Sequence, residues 1–280
     1  MPGDAAARWR ELVRGRLAEI ERLTPGAGSL DGPFFDRRAK RYDAAVSTAD
    51  PSSDPLLRRL LRVAEPSSTA IDVGAGTGRF AIPLAAQLRH VTAVDPSAAM
   101  LERLTRGAQE RGVGNMTTIR STWAEADAEV ADIAFSSFVL TLVPDAVPFV
   151  RKLEARARRH VFLYLGAYSG DAVLDPLWRH FHGTPRAPGP TYLDALALLR
   201  DLGIEPEVKV VELPNRKRFA TVEEAVDHYR DGLLLTELPG VDEDLAALLG
   251  MWLMGRRGAF RSPLRTIPAA IIRWTPGEAE

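Results

Sequence analysis

Short apolar runs alternate along this chain with stretches of helical period, and the alternation predicts strands and helices taken in turn. Ala70, Ile71 and Val73 suit a buried strand, which gives way to Gly74, Ala75, Gly76, Thr77 and Gly78. A helix from about Arg79 to Leu88 follows, then a second apolar strand, His90 to Val94, that ends in Asp95. Ser97 to Gly112 reads as a helix with Ser97 as its cap and Met100, Leu101 and Leu104 as its buried stripe. Strands are expected over Met116–Thr122, Val130–Phe138, His160–Leu165, Glu207–Leu213 and Thr266–Trp274. Helices are expected over Asp145–Arg159, with Pro148 tolerated near the first turn, and over Tyr192–Leu202, stopped by Gly203. Such a pattern predicts an α/β fold: a doubly wound, mostly parallel sheet with helices on both faces.

Ahead of this pattern, residues 5–23 form an amphipathic helix with Trp9, Leu12, Val13, Leu17, Ile20 and Leu23 near one side. The turn-rich TPGAGSLDG, a helical FFDRRAKRYDAAV, a break at Pro51–Asp54 and a helix at Leu56–Val63 complete a helical N-terminal extension. Residues 1–64 are thus expected as a helical cap, which covers a ligand pocket or packs outside the sheet, and residues 65–280 as the main domain. Two stretches exceed what the sheet needs, at about 166–190 and 215–263; the second contains two helical segments, TVEEAVDHYRDGLLL and VDEDLAALLGMWLM. Ligands of open α/β sheets sit beyond the carboxyl ends of the strands, where both insertions emerge, so both are placed to wall a substrate pocket. Gly166, Gly170, Gly183, Pro185, Pro188 and Pro190 suggest that the first is an irregular lid.

Strand, glycine turn, helix, strand and terminal acid describe a nucleotide-binding βαβ unit. Glycines let backbone amides approach a ligand where a Cβ would collide, and an acid ending the second strand suits the two hydroxyls of a ribose. The turn reads G-A-G-T-G, not the G-x-G-x-x-G of a dinucleotide site, and it lacks the G-K-[ST] ending of a P-loop. Asp72, two residues before the first glycine, would repel a pyrophosphate and attract an ammonium.

Here the chain resembles the class I (Rossmann-like) S-adenosylmethionine-dependent methyltransferases. Their first motif, an apolar strand and D-x-G-x-G-x-G, is matched by Asp72, Gly74, Gly76 and Gly78, and their ribose acid by Asp95. The resemblance is good over roughly 65–165 and rests on topology alone from 191 to 274. It implies a seven-stranded sheet whose antiparallel last strand lies beside the sixth, with S-adenosyl-L-methionine as cofactor. Ala75 and Pro96 flank the matched positions, and Tyr42 or Phe35 is the family's aromatic near the cofactor, or packs elsewhere. On the adenine side Trp123 offers a stacking ring, and Glu125 or Asp127 an acceptor for the exocyclic amine. The resemblance aligns Ser136, Ser137 and Phe138 with residues facing the reacting methyl and leaves Asp132 at the far, structural end of its strand. Ser137-Phe138-Val139-Leu140 does not match the [D/N/S]-P-P-[Y/F/W] element of enzymes methylating DNA bases, and no Asn-Pro-Pro-Tyr element for protein glutamine appears.

Methyl transfer needs little beyond alignment, with a base only where the acceptor arrives protonated. His180, His182 and Tyr168, in the first insertion, are the catalytic candidates, the histidines because their ordinary pKa allows them to take a proton at neutral pH. Their spacing puts both histidines on one side only if the chain there is extended. Tyr164, His228 and Tyr229 are further polar groups in reach.

Composition narrows the partners. The 280 residues carry a formal net charge of −1, which gives no general attraction to nucleic acid or anionic membranes. The basic clusters NRKRF and GRRGAFR are offset by nearby acids and read as solvated surface, or as contacts to an anionic substrate. With no cysteine and no H-E-x-x-H pattern, neither disulfides nor a metal site is expected. The charged start lacks the core of a secretory signal and no run approaches a membrane span, so a cytoplasmic protein is expected. The expected reaction is methyl transfer to an N, O or C atom of a small molecule in an enclosed pocket. An RNA or protein methyltransferase, a non-catalytic cofactor-binding partner subunit and an NAD-dependent oxidoreductase are the rivals; oligomeric state is left open.

Overall fold

Seven of the apolar runs pair into one sheet: β1 (Thr69–Val73), β2 (His90–Asp95), β3 (Met116–Arg120), β4 (Ala131–Ser137), β5 (Ala157–Gly166), β6 (Glu207–Pro214) and β9 (Thr266–Trp274). The order is β3-β2-β1-β4-β5-β9-β6, and a separate short ribbon pairs β7 (Arg218–Phe219) with β8 (Phe260–Arg261). The computed structural model describes residues 4–25, 35–36, 53–167, 174–215, 217–236, 238–255 and 259–277. Strands β3, β2, β1, β4 and β5 pair in parallel, whereas β9 runs antiparallel to both β5 and β6. The last strand therefore lies beside the sixth, as the resemblance implies, and also separates it from the fifth.

Alternation along each strand sends side chains to two cores. Ile71, Val73, Ala134, Leu163 and Ile272 pack on one face beneath α1 (Asp4–Leu23), α5 (Ala146–Ala155) and α7 (Tyr192–Asp201). Ala70, Phe135, Phe162 and Ile271 pack on the other beneath α2 (Pro55–Val63), α3 (Ala81–Ala85) and α4 (Ala98–Glu110). Asp54 starts α2 by accepting from the Leu56 and Leu57 amides, and Ser97 caps α4 through the Met100 amide. The helix expected over 79–88 is regular only from Ala81 to Ala85, with turns on either side.

The described helices of the extension pack into these two layers. Trp9 is fully buried under α1, and its indole Nε1 donates to the Val143 carbonyl at 2.9 Å. Burial of that ring contributes on the order of 3–5 kcal/mol. No helix among the described residues is long and apolar enough to cross a membrane.

The first insertion departs from the irregular lid expected of it. Asp175–His182 forms a helix, α6, with Pro176 in its first turn and Gly183 at φ 68° ending it. The second insertion supplies the two expected helices, α8 (Val222–Gly232) and α9 (Asp242–Trp252). Leu177 and Trp178 of α6 share a third core with Tyr229, Leu233, Leu245 and Leu249, so the two insertions are one packed unit.

Candidate functional site

The turn after β1 is held against the end of β2. The Gly74 and Ala75 amides donate to the Val94 carbonyl at 2.8 and 3.1 Å, and the Gly76 amide donates to Asp95 Oδ2 at 2.9 Å. Gly74, Gly76 and Gly78 have φ of 77°, 53° and 88°, a region that disfavours side chains. A Cβ at Gly74 would lie 2.2 Å from Val139 Cγ2 and one at Gly78 2.7 Å from Ile82 Cδ1, whereas one at Gly76 would meet no atom within 4 Å. Two of the glycines thus permit packing, and the third leaves open space.

Asp95 is buried, and its Oδ1 accepts from the Ser97 amide at 2.9 Å. Burial pushes its carboxyl up, the Ser97 and Gly76 amides pull it back, and Asp36 raises it again. Each oxygen retains a lone pair for a ribose hydroxyl. Pro96 beside it is half-buried and Ala75 buried. Asp36 is a site residue the sequence reasoning missed: its Oδ1 accepts from Ser97 Oγ at 2.5 Å and from the Ala99 amide at 3.1 Å, fastening the Phe35–Asp36 segment to the start of α4. No local motif signals a contact between residues so far apart in sequence.

Asp72 is 1% exposed, and neither carboxylate oxygen has a hydrogen-bond partner among the described residues. Burial drives its carboxyl well above its ordinary pKa, nearby Asp95 pushes the same way, and the Ala81 amide offsets only part. A buried, uncompensated carboxyl is costly unless a cation completes it. The open space at Gly76, the free lone pairs of Asp95 and this orphaned acid fit a ligand carrying an ammonium and a ribose.

At the end of β4, Ser137 is half-buried and Phe138 exposed, with a left-handed backbone at φ 58°. The Phe138 amide donates to the Tyr164 carbonyl at 2.7 Å, and the two rings lie 4.9 Å apart. Asp132 sits at the opposite end, where Oδ2 accepts from the Thr69 amide at 2.8 Å.

Other expected positions fall elsewhere. Trp123 is buried in the core, not presented for stacking: Nε1 donates to the Phe149 carbonyl at 3.2 Å, and Lys152 Nζ lies 4.9 Å from its ring centre. Lys152 reaches it because it also donates to the Ala124 and Ala126 carbonyls, closing the turn after β3. Glu125 is exposed and accepts from Thr122 Oγ1 at 3.0 Å; Asp127 turns to Arg156 at 3.6 Å. The helical chain of α6 separates the two histidines. His180 Nε2 bonds Asp244 Oδ2 at 2.7 Å, and His182 Nε2 donates to the Leu233 carbonyl at 2.8 Å while its ring stacks on Trp178 at 4.1 Å. In this geometry the Nε2 atoms of both tie the two insertions together. Tyr42 and Tyr168 lie outside the described residues.

Residues 70–160 match the family model described as a methyltransferase domain. The sheet order and the Asp72–Gly78 motif of this domain agree with those of the class I S-adenosylmethionine-dependent methyltransferases. The chain spans about half the length of the first curated relatives it matches. One, an uncharacterized protein of Haemophilus influenzae, is 33% identical over 147 residues, covering 51% of this chain and 53% of that protein. Another, the release factor glutamine methyltransferase of Cereibacter sphaeroides, is 31% identical over 144 residues, covering 49% and 48%. Among solved structures, magnesium protoporphyrin IX methyltransferase from Synechocystis PCC 6803 with bound SAH superposes with a TM-score of 0.51 at 16% identity, over 98% of this chain and 100% of that one. At that identity the likeness is one of fold.

Asp95→Ala should weaken S-adenosylhomocysteine binding by about 1–3 kcal/mol, because ribose hydroxyls would lose a charged acceptor in a buried site. Calorimetric titration reads the loss directly, and an unchanged affinity removes Asp95 from the ligand's contacts.

Proposed function

We propose that this chain moves the methyl group of S-adenosylmethionine to an N, O or C nucleophile of a small molecule. The observation that carries the reading is Asp72: a buried acid with no hydrogen-bond partner within 3.5 Å among the described residues, at the mouth of a glycine turn and on the strand next to Asp95. Asp72 would hold the ammonium, the Gly74–Gly78 backbone would border the amino-acid portion, and Asp95 would take the ribose hydroxyls. The cofactor supplies a methyl already activated by its sulfonium. The protein's part is to orient the acceptor and exclude water, and alignment alone accounts for much of such an acceleration.

Small-molecule chemistry is favoured by the two insertions, which share one core and so can enclose an acceptor, and by the net charge of −1. The name of one relative points to a protein substrate, but β4 here continues as Ser137-Phe138-Val139-Leu140, without an Asn-Pro-Pro-Tyr element.

Calorimetry with S-adenosylhomocysteine and with NADH separates the cofactor classes; binding of NADH alone ends the proposal. Methyl-labelled cofactor offered with a metabolite extract, total RNA and total protein then separates the acceptors. Label entering only RNA or protein reverses the choice of substrate.

A further inference from the structure

A second buried polar group lacks a partner, on the same face of the sheet as Asp72. Tyr164 is fully buried, and its hydroxyl makes no hydrogen bond among the described residues. The register places it. Asp72 lies opposite Ala93 and Phe135, and Tyr164 lies opposite Ser137. Side chains two apart on a strand share a face, so Asp95, Asp72, Ser137 and Tyr164 stand on one face of β2, β1, β4 and β5, which are consecutive in the sheet. With about 4.8 Å between strands, Tyr164 is one strand beyond Ser137 and about 10 Å across the sheet from Asp72. The ribose acid, the ammonium acid and the position facing the methyl come in that order. The next column belongs to whatever receives the methyl.

We infer that Tyr164 binds the methyl acceptor, its hydroxyl donating a hydrogen bond to a carbonyl, carboxylate or phenolate oxygen close to the methylated atom. This rests on the methyl-transfer reading above. The surroundings of the hydroxyl suit a donor. Burial raises the phenol far above its ordinary pKa, nearby Asp54 adds to the rise and Arg79 counters it, so the group keeps its proton at neutral pH. Arg79 is ion-paired with Asp54 and lies 5.1 Å over the Phe80 ring, which itself packs edge-on against Tyr164. The Asp54–Arg79 pair flanks the hydroxyl, and Asp54, the stronger of the two influences there, favours the protonated phenol as a donor. Phe138 supplies the adjoining wall: its backbone is strained, its amide is tied to the Tyr164 carbonyl and its ring is 38% exposed. Strain of this kind persists where the surrounding structure over-determines a site. For packing against Phe80 and Phe138 alone, a phenylalanine would serve as well.

Tyr164→Phe in the full chain tests the inference, because it keeps the ring and removes only the hydroxyl. S-adenosylhomocysteine affinity should stay within about twofold of wild type. Labelling of a metabolite extract, followed against extract dilution, should need at least about tenfold more extract for half-saturation, with a smaller fall in the maximal rate. A superimposable dilution curve overturns the inference. So does a tenfold loss of S-adenosylhomocysteine affinity, which would assign the hydroxyl to the cofactor. If the wild-type protein labels RNA or protein instead, the small-molecule reading fails, and the same titration on that acceptor still decides Tyr164. A crystal structure with S-adenosylhomocysteine decides it without any acceptor: the hydroxyl, sealed in the ligand-free chain, should open onto a cavity beside the sulfur once the cofactor site is filled, and a hydroxyl still sealed there would exclude the contact.

Discussion

Asp72→Asn should make the ligand-free protein more stable and at the same time a poorer binder of S-adenosylhomocysteine. The carboxyl is fully desolvated and lies near Asp95, and the Ala81 amide offsets only part of this, so its folded-state pKa lies well above its ordinary 3.8. For an acid shifted in this direction the folded state binds more protons than the unfolded one. Its stability is therefore greatest below the unfolded pKa and declines as pH rises from about 4 through the folded value. Asparagine keeps the shape and cannot ionise, so the thermal midpoint should rise at neutral pH and its decline with pH should flatten. The ligand sees the reverse. An ammonium is stabilised by the ionised acid, so wild-type affinity should increase with pH as Asp72 loses its proton, and the variant should lose about 1.5–3 kcal/mol, roughly 10–150-fold. Melting curves across pH together with calorimetry check both halves. A variant that melts lower than wild type in the absence of ligand would mean that the acid has an internal partner.

Gly74→Ala and Gly76→Ala, two residues apart in one turn, should fail in different ways. Both have positive φ, which costs an alanine on the order of 1 kcal/mol. At Gly74 the new methyl also meets Val139 at 2.2 Å, and a β-branched side chain has little room to turn away. Since Val139 follows Phe138 at the end of β4, the clash should bring the total to about 2–4 kcal/mol and disturb the fold itself. At Gly76 the methyl enters open space, so the protein should fold with little more than the backbone penalty. That space is the ligand's in the proposed arrangement, and affinity for S-adenosylhomocysteine should fall by about 100-fold or more, as expected when backbone and ligand are forced apart. Denaturant melts and calorimetry on the pair separate the two effects. Equal affinity in Gly76→Ala and wild type would move the ligand away from the turn.

Elements whose period and end signals agreed were legible in the sequence. β1, the glycine turn, β2 with its acid, Ser97 as a cap and the whole of β9 all lie where the pattern predicted them. What failed depended on contacts between distant segments. Trp123 follows a strand end, where no periodicity fixes direction, and Lys152 from α5 decides it by closing the turn over the ring. The glycines and prolines of the first insertion suggest an irregular lid, but Asp175–His182 lies between them and forms a helix, because Pro176 is free of penalty in a first turn and Trp178 had a core to enter. The two histidines share a side only in an extended chain, and helical spacing in α6 turns each toward a different partner. That an acid or a phenol lacks a partner is invisible in a sequence, since it is a property of everything around it.

The place of β9 in the sheet has a consequence for the order in which the molecule can form. β5 and β6 have no contact in the sheet except through β9, so neither edge is satisfied until residues 266–274 arrive. During synthesis, β5 has been made more than a hundred residues before its antiparallel neighbour, and its unpaired edge carries Val161, Leu163 and Leu165 in the interim. Long-range pairing of this kind is slow, and an exposed apolar edge is a template for pairing with other chains. A nascent chain arrested before Thr266 should therefore hold the β3-β2-β1-β4 half in native register while recruiting chaperones or aggregating through β5.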